Sequence, residues 1–530
     1  VKGAFRQLSA TQSLLGVVVA LALLALYLNS AGQLLLHAGH SDWRGLFTSA
    51  YFWHILQFSL FQALLSTALS VVFGVICAHA LHYQHFVGKT LLLKLCSLTF
   101  VLPTLVAVFG LLGVYGLSGW LNRTLAFFGL EALSIYGLAG ILLAHVFFNL
   151  PLATKLFYSA LLSIPAEHYK LAAQLNLRGL NLFNTLELPF LKKQLMPTAT
   201  LIFMLCFTSF AIVLTLGGGP KYTTLEVAIY QALTFDFDLA RAAQLAIVQL
   251  LICTALFRLS HRFSAHATSS DGTTHGFLPA TSKALRWAHC TALCLLALFV
   301  ALPLSNIIAQ GLSALSTLSE GTLADLWLAA RYSLALALCA GALCVALSLA
   351  LLLCARQWHF YGFTTSAREL INIGMAILAL PMLVIATGLY LALRELDGNG
   401  WLFGVVALCN ALVAMPFALR ILQPTLFDNM QRYQRLCQSL GIRGLRRFTL
   451  VEWATLKQPL RSALAYACAL SLGDFTAIAL FGSQDFTSLP RLLYQQLGHY
   501  RTGDGALTAL VLLLLCAALF LVIEKYDKTQ

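Results

Sequence analysis

His79, His82 and His85 recur at every third residue, a spacing that could offer imidazole nitrogens to a metal ion. Positions i, i+3 and i+6 drift around a helix, and no neighbouring cysteine or acid in the sequence completes a ligand set. A metal site is therefore not expected, and the isolated His261, His266 and His275 carry no more weight. Gly88-Lys89-Thr90 has the ending of a phosphate-binding loop, but the glycine that would open such a loop falls at Tyr83. Hydrolysis of ATP by this chain is not expected, and no catalytic residue or cofactor is assigned. Among the thirteen cysteines no pair has CxxC spacing, and most, such as Cys77, Cys206, Cys253, Cys339, Cys344 and Cys516, sit in apolar stretches as small packing residues. Asp474 is different. It falls well inside an apolar run that begins near Ser462, roughly 18 Å deep at about 1.5 Å per helical residue, where an ionisable group is functional by default. It could supply counter-charge to a cationic substrate, or, beside Gly473, brace a helix break as part of a gate.

The elements that must hold these residues follow from composition. The 530 residues are 59% hydrophobic and 10% charged, far below the roughly 25% charged residues of soluble domains, and the mean hydropathy is +0.82. An all-α polytopic membrane protein is expected, because helices satisfy their own backbone groups in lipid. Twelve apolar stretches have about the length a bilayer requires: 13–28, 58–81, 95–115, 136–156, 196–216, 242–257, 289–308, 333–354, 371–391, 401–417, 462–481 and 506–523. Lys2 and Arg6 precede the first, as in a signal peptide, but Leu28-Asn29-Ser30-Ala31 is a poor cleavage site, so that span is expected to be retained. Placing the N-terminus in the cytoplasm puts most of the 33 Lys and Arg on that side. The opposite side keeps only scattered Arg44, Arg123, Lys221, Arg241, Arg331, Arg394, Arg491 and Arg501. Both termini are then cytoplasmic. This asymmetry, with anionic lipid, accounts for the net charge of +13, and no nucleic-acid partner is implied.

A polar, basic segment occurs twice. "LAAQLNLRGLNLFNTLELP" from Leu171 is matched by "LCQSLGIRGLRRFTLVEWA" from Leu436. Leu175 and Leu440, Arg178 and Arg443, Gly179 and Gly444, Phe183 and Phe448, and Glu187 and Glu452 all stand 265 positions apart. The same spacing relates Pro151 to Pro416, Phe210 to Phe475 and Gly217 to Gly482, so each half carries six expected spans in parallel topology. In the first copy Ser163 and Pro165 mark a helix start, and Leu171 and Leu175 give the helix an apolar edge. In the second, Asp428 and Gln431 have capping-box spacing, and Leu436 and Leu440 form the edge. Gly441 reverses the chain, as does Asn176, a residue tolerant of positive φ. A second short helix, with Phe183 or Phe448 on its apolar side, is expected to follow, making one helix-turn-helix knob per half.

These segments resemble the signature loop of binding-protein-dependent ABC importer permeases, Glu-Ala-Ala, three residues, Gly, nine residues, Ile-x-Leu-Pro. The first copy reads Lys170-Leu171-Ala172, Asn176, then Leu186-x-Leu188-Pro189. The second reads Arg435-Leu436-Cys437, Gly441, then Val451-x-Trp453-Ala454. Both depart from the acidic start, and the second lacks the final proline. With "ILLAHVFFNLP" (141–151), "LTLGGGP" (214–220), "SLGDF" (471–475) and "DGALTALVLLLLC" (504–516), the whole chain is similar to the fused thiamine importer permeases of Gram-negative bacteria. Fused ferric-iron permeases share that architecture.

The resemblance implies a type I permease in the inner membrane, moving thiamine and its phosphates. Two ATP-binding subunits would seat on the cytoplasmic knobs, and a periplasmic binding protein would deliver substrate. The expected organisation is a tail and first span (1–50), a first repeat (51–260) with coupling loop 163–192, and a cytoplasmic linker (261–288). A seventh span with a periplasmic loop (289–328) and a second repeat (329–530) with coupling loop 428–457 complete it. An ion-coupled secondary transporter would want several intramembrane acids or bases, and a channel would want a repeated charged ring or filter loop. Neither pattern is visible.

Overall fold

A computed structural model describes residues 10–39, 42–263, 282–317, 320–378, 380–393, 401–442, 444–482, 487–499 and 501–527. Most of the expected linker and Arg443 lie outside the described residues. Those described are helical or in short connections, with no strand among them. The principal helices are α1 (Ala10–Gly39), α2 (Ala50–Tyr83), α3 (Leu138–Leu162), α4 (Ala166–Gln174), α5 (Leu188–Phe207), α6 (Lys283–Ala314), α7 (Glu320–Phe360), α8 (Leu402–Ser439), α9 (Trp453–Gly473) and α10 (Thr502–Asp527).

Ten helical segments among the described residues are long and apolar enough to cross a membrane, against twelve expected stretches. The other two are divided. The 371–391 stretch is split between Thr364–Met375 and Met382–Leu393, with Pro381 just ahead of the second helix. The 462–481 stretch is broken between Gly473 and Thr476. A similar break at Leu102-Pro103 divides the third stretch.

The chain forms two compact units, Arg44–Ala228 with Ile252–Ser313, and Val1–Trp43 with Ile229–Leu251 and Ala314–Gln530. In the former, α2 packs along α3. A β-carbon at Gly74 would lie 2.5 Å from that of Ala153, so the backbones approach only because glycine has none. Polar groups on this pair are tied down from the inside: Gln62 of α2 donates to the Cys206 carbonyl of α5 at 3.0 Å, and Ser66 Oγ meets His145 Nδ1 of α3 at 3.0 Å. Helix α6 belongs here too. Asn306 donates to the Gly113 carbonyl at 3.2 Å, and Gly110 sits against Pro303.

In the other unit α7, α8 and α9 form the core and the opening helix α1 lies on it. Ser30 donates to the Ile385 carbonyl at 3.1 Å, and Gly16 approaches Ala350 and Cys354. Thus α1 packs with residues of the second half, and α6 with residues of the first. The two halves nonetheless repeat fine detail: Ser59 Oγ accepts from Leu225 N at 2.9 Å, and Ser333 Oγ from Leu489 N at 2.8 Å.

Candidate functional site

The duplicated segments share their outward face and their chain reversal. In the first, α3 ends at Leu162 and Pro165 is the N-cap of α4. Tyr169 and Ala172 are buried, while Lys170, Leu171 and Leu175 face outward, the two leucines 55% and 64% exposed. Asn176 takes φ +54°, and Leu177 N closes the helix end by bonding the Ala172 carbonyl at 2.9 Å. In the second copy Cys437 is buried, Arg435 faces out, and Leu436 and Leu440 are 54% and 63% exposed. Gly441 takes φ +65°, and Ile442 N bonds the Cys437 carbonyl at 2.9 Å.

Two expectations about these segments are corrected. No helix begins at Asp428, because α8 runs unbroken from Leu402 to Ser439. The position matching Pro165 is Met430, which keeps its N–H and imposes no restriction on the residue before it. The second short helix is also not separate. Gly179–Leu182 continues through a π turn, Phe183–Glu187, straight into α5, and Gly444–Arg447 continues through Phe448–Glu452 into α9. Leu188 N bonds the Phe183 carbonyl five residues back, and Pro189, which has no N–H to place, comes next. Gly179 turns at φ +54°. Phe183 packs edge-on to His79, ring centroids 5.7 Å apart, and Phe448 lies 5.9 Å from Trp453.

The residues that sequence reasoning left without a role are those closing each π turn. Glu187 is 1% exposed. Its carboxylate meets His79 Nε2 at 3.1 Å and accepts from the hydroxyls of Tyr83 and, at 3.3 Å, Tyr169. Burial, followed by the Glu187 charge, pushes the Tyr169 phenol well up, so it remains a donor. His79 Nδ1 in turn lies 2.9 Å from His289 Nε2 on α6. Glu452 is likewise 1% exposed, but its partners are Arg356, at 3.0 Å, and Arg447 Nε, at 2.7 Å. Arg447 also donates to Gln434 and to Met430 Sδ. The signal for these acids was their recurrence at the repeat spacing.

The histidine run is thus tied into the protein. His79 faces Glu187, and His82 Nε2 meets the Tyr169 hydroxyl at 3.1 Å. Among the described residues no three His, Cys, Asp or Glu side chains are grouped to hold a metal. Lys89 donates to the Leu81 and Gln84 carbonyls at 2.5 and 3.3 Å, closing the end of α2. Asp474 follows Gly473, the last residue of α9, and its two oxygens accept from Thr476 N at 3.3 Å and Ala477 N at 3.2 Å. The carboxylate therefore caps the short helix Thr476–Phe481 across the break.

Comparison with known proteins bears on the family of the chain. Residues 70–268 match the family model for the inner membrane component of binding-protein-dependent transport systems. The chain is 49% identical over 513 residues to the thiamine transport system permease protein of Haemophilus influenzae, covering 96% of this chain and 95% of that one. It is 47% identical over 522 residues to the corresponding Escherichia coli protein, with 98% and 95% covered. Against that of Brucella abortus the identity is 41% over 515 residues, with 95% and 92% covered.

Proposed function

The chain belongs to the thiamine permease family of binding-protein-dependent ABC importers, and on that premise we propose that its own cargo is thiamine together with its phosphate esters. It is a multi-pass inner membrane permease subunit, not an enzyme, and works with an ATPase and a periplasmic binding protein. Two ATPase subunits, one per duplicated segment, are the stoichiometry that the repeat supports. The carrying observation is the pair of outward leucines repeated at matched exposure, Leu171 with Leu175 and Leu436 with Leu440. Uncovered apolar side chains on an otherwise basic segment are suited to a protein cleft. The positive-inside bias supports cytoplasmic termini, and the recurring segments support two parallel repeats. ATP-driven closure of the partners would move the two segments together and open the passage outward.

Deleting the gene for this chain should abolish high-affinity uptake of radiolabelled thiamine and leave ferric-iron uptake intact, and thiamine monophosphate should compete with the label. Loss of iron uptake with thiamine uptake preserved would overturn the substrate while sparing the importer class.

Asp474, with Gly473, serves this transport as a gate element, since its carboxylate spans a helix break. Asp474→Asn leaves one oxygen where two accept, so turnover of thiamine and of its anionic esters should fall to a similar degree. A loss confined to thiamine would instead identify the carboxylate as counter-charge to the cationic ring.

A further inference from the structure

The two coupling segments are rooted by chemically different locks. Each lock joins the buried acid at the end of the π turn to the cytoplasmic end of a long helix, α2 through His79 and Tyr83, and α7 through Arg356. The acids correspond at the repeat spacing, but their surroundings do not. Tyr169 is answered by Gln434, and the apolar Leu182 by Arg447. The first acid is held by an imidazole and two phenols, and the second by two guanidinium groups.

We propose that Glu187 and Glu452 are positioning residues for transport, each transmitting movement of its coupling segment to the adjoining long helix through a lock of different chemistry. The proposal rests on the coupling role assigned to the exposed leucines above. A segment that carries force must be joined firmly to what it moves, and a buried carboxylate has no alternative partner in water. Guanidinium stays charged throughout the accessible range, so the Arg356–Glu452–Arg447 lock is constant.

Access differs as well. A cavity of about 890 Å³ is lined by His79, Glu187, His289, Tyr83, Arg178 and Phe183, and His79 is 16% exposed, whereas Arg356 is 1% exposed. The ionisable groups around His79 are His82 and Tyr83 on its own helix, Glu187 from the coupling segment and His289 from α6, while Arg178 lines the same cavity. Tyr169 and Lys89 lie beyond, around His82.

The test uses the whole complex in proteoliposomes, with ATPase and thiamine-loaded binding protein, and reads thiamine moved per ATP hydrolysed. Glu187→Gln should lower this ratio severalfold, and His79→Gln should lower it too. Glu452→Gln should lower the ratio likewise. Because Glu452→Gln strands two guanidinium groups, it is read only as an assembled complex, and Glu187→Gln and His79→Gln carry the test if it fails to assemble. A wild-type ratio in Glu187→Gln would overturn the proposal. Failure of the ATPase to bind the wild-type chain would overturn the coupling reading instead.

Discussion

Leu175→Arg and Leu440→Arg are each expected to insert in the membrane and accept the loaded binding protein, yet lose the ATPase subunit. Both leucines sit at the end of the outward helix in their segment, 64% and 63% exposed, and neither contributes to the buried core. An arginine there does not disturb the fold, because it points away from Ala172 and Cys437, which face inward. Covered by a partner, the same arginine must leave water. An unpaired group so buried costs several kcal/mol, which corresponds to a loss of affinity of at least about two orders of magnitude. Co-purification of the ATPase and substrate-stimulated ATP hydrolysis would read this directly. Normal co-purification with wild-type uptake in both variants would reduce the repeated segment to a basic topology anchor.

Arg356→Ala is expected to be among the most damaging single substitutions in the second half. Arg356 is 1% exposed and lies 3.0 Å from Glu452, which is equally buried. Removing one partner of a buried pair leaves charge uncompensated, and the loss is about 3–5 kcal/mol, larger than the net worth of the pair. Arg447, 2.7 Å from the same carboxylate, offsets part of this but is already committed to Gln434. A lowered thermal midpoint of the detergent-solubilised complex would register the change. Arg356→Lys should recover part of it, since the charge returns without the guanidinium fork. An unchanged midpoint in Arg356→Ala would mean that Arg447 alone satisfies the acid.

The sequence by itself determined what depends on composition and near neighbours. The apolar content demands membrane-spanning helices, and the duplicated segments declare themselves by constant spacing. The reversals at Asn176 and Gly441 follow from residues that tolerate positive φ. The outward edge of Leu171 and Leu175, or Leu436 and Leu440, is a matter of helical period.

Only the tertiary structure decided the rest. Asp428 and Gln431 have the spacing of a helix start, but capping propensity is worth about 1 kcal/mol, and a helix already propagating through Met430 has no reason to stop. Nothing local assigns α1 to the residues of the second half, where Gly388 and Ser30 meet without room for a side chain between them. Glu187 and Glu452 read alike in sequence, as an acid at the head of an apolar stretch. What separates them is His79, Arg356 and His289, more than 90 positions away along the chain in each case. A buried charge is defined by its partners, and those partners are brought to it by helix packing that no local pattern records.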